Sequence, residues 1–135
     1  FNARFGDPET EVVLPRLESD IVDIFKSLAD GKTPQCGENL KWSDDATLGI
    51  VLASKGYPES YDKGVEIRGM EGMEGVYHMG TALKDGKLVT NGGRVLFVVG
   101  RGATISQARS AALEKVAKIE CDNLFHRTDI GHWAL

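Results

Sequence analysis

The chain has 135 residues, 41% of them hydrophobic and 27% charged, with a formal net charge of -4 at pH 7. Its length fits one domain or one domain with an appendage, and its composition is that of a folded globular protein. The acidic balance excludes the basic footprint of a nucleic-acid binder. No apolar run reaches the ~18 residues of a spanning helix, so neither nucleic acid nor membrane is expected as a partner. The two cysteines, Cys36 and Cys121, lie far apart in no metal-ligand spacing, and two reduced thiols are the expectation.

Asp7-Pro8-Glu9 predicts a helix start, with Asp7 as cap, Pro8 at the first helical position and Glu9 at the positive end of the dipole. Pro15 interrupts or restarts that turn. Ser19 is the expected cap of a second helix, in which Ile21, Val22, Phe25, Leu28 and Ala29 repeat at helical spacing and Gly31 supplies the stop. Residues 31–46 are polar and rich in Gly and Pro, a connector with one short strand around 40–42. LGIVLASK (48–55) is a strand by length and β-branching. A loop with a short strand at 65–67 follows.

Asp85-Gly86 and Asn91-Gly92-Gly93 separate three β-rich runs, at 76–84, 87–90 and 94–100. Both separators are hairpin-turn sequences suited to positive φ, so a three-stranded antiparallel meander is expected. Thr104 with Gln107 makes a capping box, and Ile105, Ala108, Ala112, Val116 and Ile119 line one face of the helix that follows. An antiparallel sheet packed with helices is an α+β fold.

Few residues advertise chemistry. GRGATI (100–105) mimics the start of a dinucleotide fingerprint but lacks its third glycine and a βαβ context; a plain strand-to-helix turn is the reading. His78, His126 and His132 are scattered, none with a second ligand at metal spacing, and His78 is read as a satisfied, half-buried strand residue. Glu71 and Glu74 fall on a solvated loop. Lys55-Gly56 at a strand end could hold an anion close to backbone, and Arg94 after its glycines could reach a phosphate or carboxylate. In the opening stretch, Asn2 and Arg4 are two apart and share a face if extended. Such a pair could offer an oxygen to Mg²⁺ and a fixed cation to a phosphate, with Asp7, Glu9 and Glu11 adding ligands or holding Arg4.

FNARFGDPETE, at residues 1–11, resembles the signature of the glycinamide ribonucleotide synthetase (phosphoribosylamine–glycine ligase) family of the ATP-grasp superfamily, Asn-x-Arg-Phe-Gly-Asp-Pro-Glu-x-Gln. Glu11 stands where the family usually has Gln. VVLPRLESDIVDIF, LASKGYPESYDKG, GTALKDGKLVTNGGRVL and FHRTDIG resemble the same enzymes in the same order, over nearly the whole chain. The resemblance implies a C-terminal piece of a longer ligase, with residues 1–32 the tail of the ATP-grasp domain and 33–135 the C-terminal domain. It implies that glycine is joined to 5-phosphoribosylamine, with ATP going to ADP and phosphate through a glycyl phosphate.

The roles it implies are Asn2 as a ligand of Mg²⁺ (or Mn²⁺), beside an acidic residue preceding Phe1, and Arg4 as the catalytic cation. Asp7 and Glu9 shape the loop and orient Arg4. Lys55, Gly56, Thr81, Asn91 and Arg94 are expected on the substrate side. A cytoplasmic, monomeric parent and an inactive isolated piece follow from the same resemblance. The competing readings are a piece of another ATP-grasp ligase, or a stand-alone small-molecule-binding or interaction domain.

Overall fold

The computed structural model describes residues 3–32 and 40–135. Asn2, Cys36 and the 33–39 part of the expected connector lie outside the described residues. In chain order the elements are α1 (Thr10–Val13), a 3-10 turn (Leu14–Arg16), α2 (Ile21–Ala29), β1 (Ala46–Ser54), β2 (Val76–His78), β3 (Thr81–Lys84), β4 (Lys87–Thr90), β5 (Arg94–Gly102), α3 (Ile105–Val116), β6 (Leu124–Phe125) and a closing 3-10 turn (His132–Ala134).

The frame is the pair of nine-residue strands β1 and β5, whose β-branched side chains suit a pleated, buried surface. They pair antiparallel from Ala46↔Gly102 to Ala53↔Arg94. β2 occupies the other edge of β5 and β6 the other edge of β1, giving a four-stranded sheet in the order β2-β5-β1-β6. One face of this sheet carries α3. Leu48, Ile50 and Leu52 from β1 meet Leu96 and Val98 from β5, together with Ala108 and Ala112 of the helix, in one buried cluster. The small residues bring helix and sheet close: a Cβ on Gly100 would sit 2.0 Å from the Ala108 carbonyl oxygen. GRGATI is therefore a strand-to-helix turn whose glycine makes room for the helix. Thr104 Oγ1 caps α3 by accepting from the Gln107 N–H at 3.2 Å, while Gln107 Oε1 accepts from the Ala103 N–H, one residue earlier than a capping box requires.

The α+β fold forms as expected, and its sheet differs from a meander. The Asp85-Gly86 hairpin is present, with both residues at positive φ, joining β3 to β4 in a separate two-stranded sheet. β4 does not pair with β5, because every edge is taken. The free side of β4 receives the 64–67 segment, through Gly64 N–H to Thr90 O, Thr90 N–H to Val65 O and Ile67 N–H to Leu88 O. β5 is flanked by β1 and β2. The expected 76–84 strand breaks at Met79-Gly80, whose two N–H groups both donate to Val95 O. Asn91-Gly92-Gly93 is the corner between the two sheets, not a hairpin. Its glycines are needed for close approach: a Cβ on Gly92 would lie 3.0 Å from the Gly80 Cα, and one on Gly93 2.1 Å from the Tyr57 ring.

Two helix starts also shift. Gly6 O accepts from the Glu9 and Thr10 N–H groups, so α1 begins at Thr10 and Pro8 precedes it. Asp20, not Ser19, caps α2, accepting from the Val22 and Asp23 N–H groups. Ser19 Oγ accepts from the Lys41 N–H instead. The 40–42 stretch forms a single bridge, Leu17↔Trp42. No helix among the described residues is long and apolar enough to cross a membrane.

Candidate functional site

The face of the β1/β5 ladder opposite α3 is the floor of a cleft. Its rows are the pairs Thr47↔Arg101, Gly49↔Val99, Val51↔Phe97 and Ala53↔Arg94. Strict alternation would put Val95, not Arg94, on the face of Phe97. A bulge inserts one extra residue in β5 opposite Leu52 and Ala53. Val95 and Leu96 both turn into the core, and Arg94 joins Phe97 on the open face. The cleft holds about 520 Å³, walled by Pro8 and Val12 on one side and by Tyr57, Phe125, His126, Arg127 and Ile130 on the other. That volume is of small-ligand size.

Four loops meet at the Arg94 end. Ser54 Oγ donates to Gly92 O at 2.8 Å, Ser54 N–H to Gly93 O, and Asn91 N–H to Gly80 O. Gly56 has φ +93, and a Cβ there would strike Ser60 O at 2.0 Å. The expected substrate-side residues Lys55, Gly56, Thr81, Asn91 and Arg94 are thus gathered at one corner. The Lys55 and Asn91 side chains are exposed, and Thr81 Oγ1 lies 2.9 Å from His78 Nδ1. His78 is exposed, not half-buried as expected.

Signature residues divide between two places. Arg94 donates to the Asp7 carbonyl at 3.0 Å and lies 3.8 Å from the Asp7 carboxylate, which ties Asp7 to the cleft. Arg4 and Glu9 line a different groove, with Phe5, Leu14, Ile24 and Trp42. Asp7 and Glu9 do not orient Arg4: Glu9 closes the loop by accepting from the Gly6 N–H at 2.7 Å, and Arg4 donates to Phe5 O. Glu11, which replaces the family Gln, has one buried carboxylate oxygen without a hydrogen-bond partner among the described residues.

A metal centre is not built by the described residues. No three His, Cys, Asp or Glu side chains converge among them, and Asp7 and Glu9 are already engaged. Asn2, the metal ligand expected of this chain, lies outside the described residues.

Sequence reading missed three arginines that organise the site; the partners of Arg101 and Arg109 are distant in sequence, and that of Arg127 is two residues away. Arg101 donates to Asp45 Oδ2 and Ser43 Oγ, both at 2.6 Å, and to Pro15 O at 3.3 Å. Arg109 holds the C-terminal tail by donating to Thr128 O and Ile130 O. Arg127 makes a two-pronged pair with Asp129, at 2.6 and 2.9 Å. These hydrogen bonds hold the Asp129 carboxyl below its ordinary pKa.

The fold and site define the class as an α+β domain whose opening loop is tied to a sheet-floored cleft of small-ligand size. Residues 47–133 match the family model described as "Phosphoribosylglycinamide synthetase, C domain", and the chain belongs to that family. It is 51% identical over 138 residues to the phosphoribosylamine–glycine ligase of Halalkalibacterium halodurans, covering 100% of this chain and 31% of that protein. It is 45% identical over 133 residues to that of Caldanaerobacter subterraneus subsp. tengcongensis, covering 97% and 31%. The crystal structure of the Thermotoga maritima phosphoribosylamine–glycine ligase superposes with a TM-score of 0.80 at 38% identity, over 96% of this chain and 32% of that one. The chain therefore spans about a third of the length of these relatives.

Proposed function

We propose that this chain is the C-terminal portion of a phosphoribosylamine–glycine ligase, acting in purine synthesis as part of a cytoplasmic, monomeric protein. The whole protein joins glycine to 5-phosphoribosylamine. ATP phosphorylates the glycine carboxylate, the amine of phosphoribosylamine attacks the acyl phosphate, and phosphate leaves. Chemistry of this kind asks the protein for positioning and charge neutralisation. Mg²⁺, when bound, would screen the ATP phosphates, with Asn2 the one ligand this chain is expected to give it. Arg4 neutralises the transferring phosphate or the glycine carboxylate. Glu9 and Asp7 shape the loop that carries Arg4. Lys55, Gly56, Thr81 and Asn91 line the substrate side, with Arg94 at its edge.

The observation that carries this reading is the hold of the family domain on the signature loop through Arg94 and Asp7, in a chain matched along its full length by a ligase. The division into an ATP-grasp tail at 1–32 and a second domain at 33–135 draws support from α2. None of its residues is buried, and Val22, Phe25 and Leu28 are 53%, 60% and 52% exposed. An apolar helix face of this kind suits contact with a further domain. The test is ADP formation by the whole natural protein with Mg²⁺-ATP, glycine and phosphoribosylamine. Turnover should require all three, and the 135-residue chain alone should give none. Turnover that persists without glycine refutes the assignment.

A further inference from the structure

We propose that Arg94 is a positioning residue: it fixes the signature loop against the second domain and acts on the reaction through that loop, not by holding substrate. This rests on the ligase reading. The segment after the loop is anchored several times over. Arg101 reaches Pro15 O, Thr47 Oγ1 donates to Val12 O at 2.6 Å, Ser43 N–H donates to Arg16 O and Arg16 donates back to Ser43 O. The loop itself is not. Among the described residues, the hydrogen bonds within 3–10 are local, and the one that arrives from elsewhere in the chain comes from Arg94.

Arg4 and Arg94 border different cavities, so the loop lies between the two and its placement sets how they face each other. The backbone makes a specific provision for this contact. Without the extra residue at the β5 bulge, Arg94 would point toward the α3 side of the sheet, and Asp7 would lie out of its reach. Arginine suits the task because its planar fork can serve a carbonyl and a carboxylate together, with a charge that does not titrate. The site gains geometry this way, and small misplacements of a reacting group are costly.

The test uses the whole protein with Arg94→Met and Arg94→Lys, read by steady-state kinetics and by amide hydrogen exchange. Arg94→Met should lower kcat tenfold or more, leave the KM values for glycine and phosphoribosylamine within about threefold, and speed exchange at the Glu9 and Thr10 amides by about tenfold. Arg94→Lys, which keeps a charge and one donor for the Asp7 carbonyl, should recover most of kcat. A rise of more than tenfold in either KM, with kcat and exchange unchanged, would make Arg94 a direct substrate contact and overturn the proposal. So would a lower unfolding temperature with kcat and loop exchange intact. A wild-type protein that ignores glycine would defeat the ligase reading alone. Exchange at Glu9 and Thr10 would then decide whether Arg94 holds the loop.

Discussion

Gly100→Ala tests the packing of helix on sheet that supports the whole cleft. The new methyl carbon would stand 2.0 Å from the Ala108 carbonyl oxygen, 2.5 Å from the Ala112 nitrogen and 3.0 Å from the Ala112 Cβ. The two nearest atoms are helix backbone, so no side-chain rotation relieves the clash. α3 must withdraw by roughly 1 Å, and a radial gap of that size forfeits about a quarter to a half of each dispersion contact across the interface. Overpacking of this kind costs typically 1–3 kcal/mol, and more where the backbone has to move. Replacing glycine where φ is not positive returns about 0.4–1 kcal/mol through the unfolded chain. The net expectation is a destabilisation of about 2 kcal/mol. With an unfolding entropy of ~2.1 cal/mol/K per residue, this lowers Tm by about 7 °C. Urea unfolding at 25 °C and calorimetry measure it. Gly72→Ala is the control: its φ is +68 with open space around it, so only the left-handed backbone is penalised, by about 1 kcal/mol. A Gly100→Ala protein within 0.5 kcal/mol of the parent by the error scale of ordinary surface substitutions would refute the reasoning.

Three further outcomes are expected. Thr104→Ala removes the acceptor for the Gln107 N–H and should cost about 1 kcal/mol in urea unfolding, whereas Thr104→Ser should be nearly silent. The Asp129 carboxyl, held low first by its hydrogen bond from Arg127, contributes to tail stability above the ordinary aspartate range and loses that contribution as pH falls through its depressed folded pKa. An NMR titration should find its midpoint below the usual value, and Arg127→Met should raise it toward the ordinary aspartate range; an unmoved midpoint refutes the pairing. Phe25→Ala, at a side chain 60% exposed here, should change the stability of the 135-residue chain by less than about 0.5 kcal/mol. In the whole protein it should cost about 1.5–3 kcal/mol if a further domain covers α2, and equal small effects in both would remove that support for the domain division.

Much of the local structure was legible because its causes are local. β-branched runs marked β1 and β5, the Asp85-Gly86 pair marked its hairpin through positive φ, and Thr104 marked the start of α3. Cap identity proved less legible: Ser19 and Asp20 are adjacent, both can cap, and the choice followed from Ser19 being taken by the Lys41 N–H. The signature stretch and the later motifs were enough to indicate the family, since those residues carry the resemblance by themselves.

Partnership between distant segments was decided elsewhere. Asn91-Gly92-Gly93 has a hairpin's composition, yet β4 pairs with 64–67 and β5 with β1 and β2, because strand edges accept whichever neighbour the packed layers bring to them. The phase of Arg94 depends on a one-residue bulge, and the roles of Arg101, Arg109 and Arg94 depend on carbonyls and carboxylates 19 to 87 positions away. By itself the sequence determined the α+β class, the hairpin, the main helices and the family, through propensities and motifs that act within a few residues. Only the tertiary structure decided the sheet order, the cleft on the face opposite α3 and the hold of Arg94 on Asp7, because hydrogen-bond partners and packing faces are set by which segments meet in space.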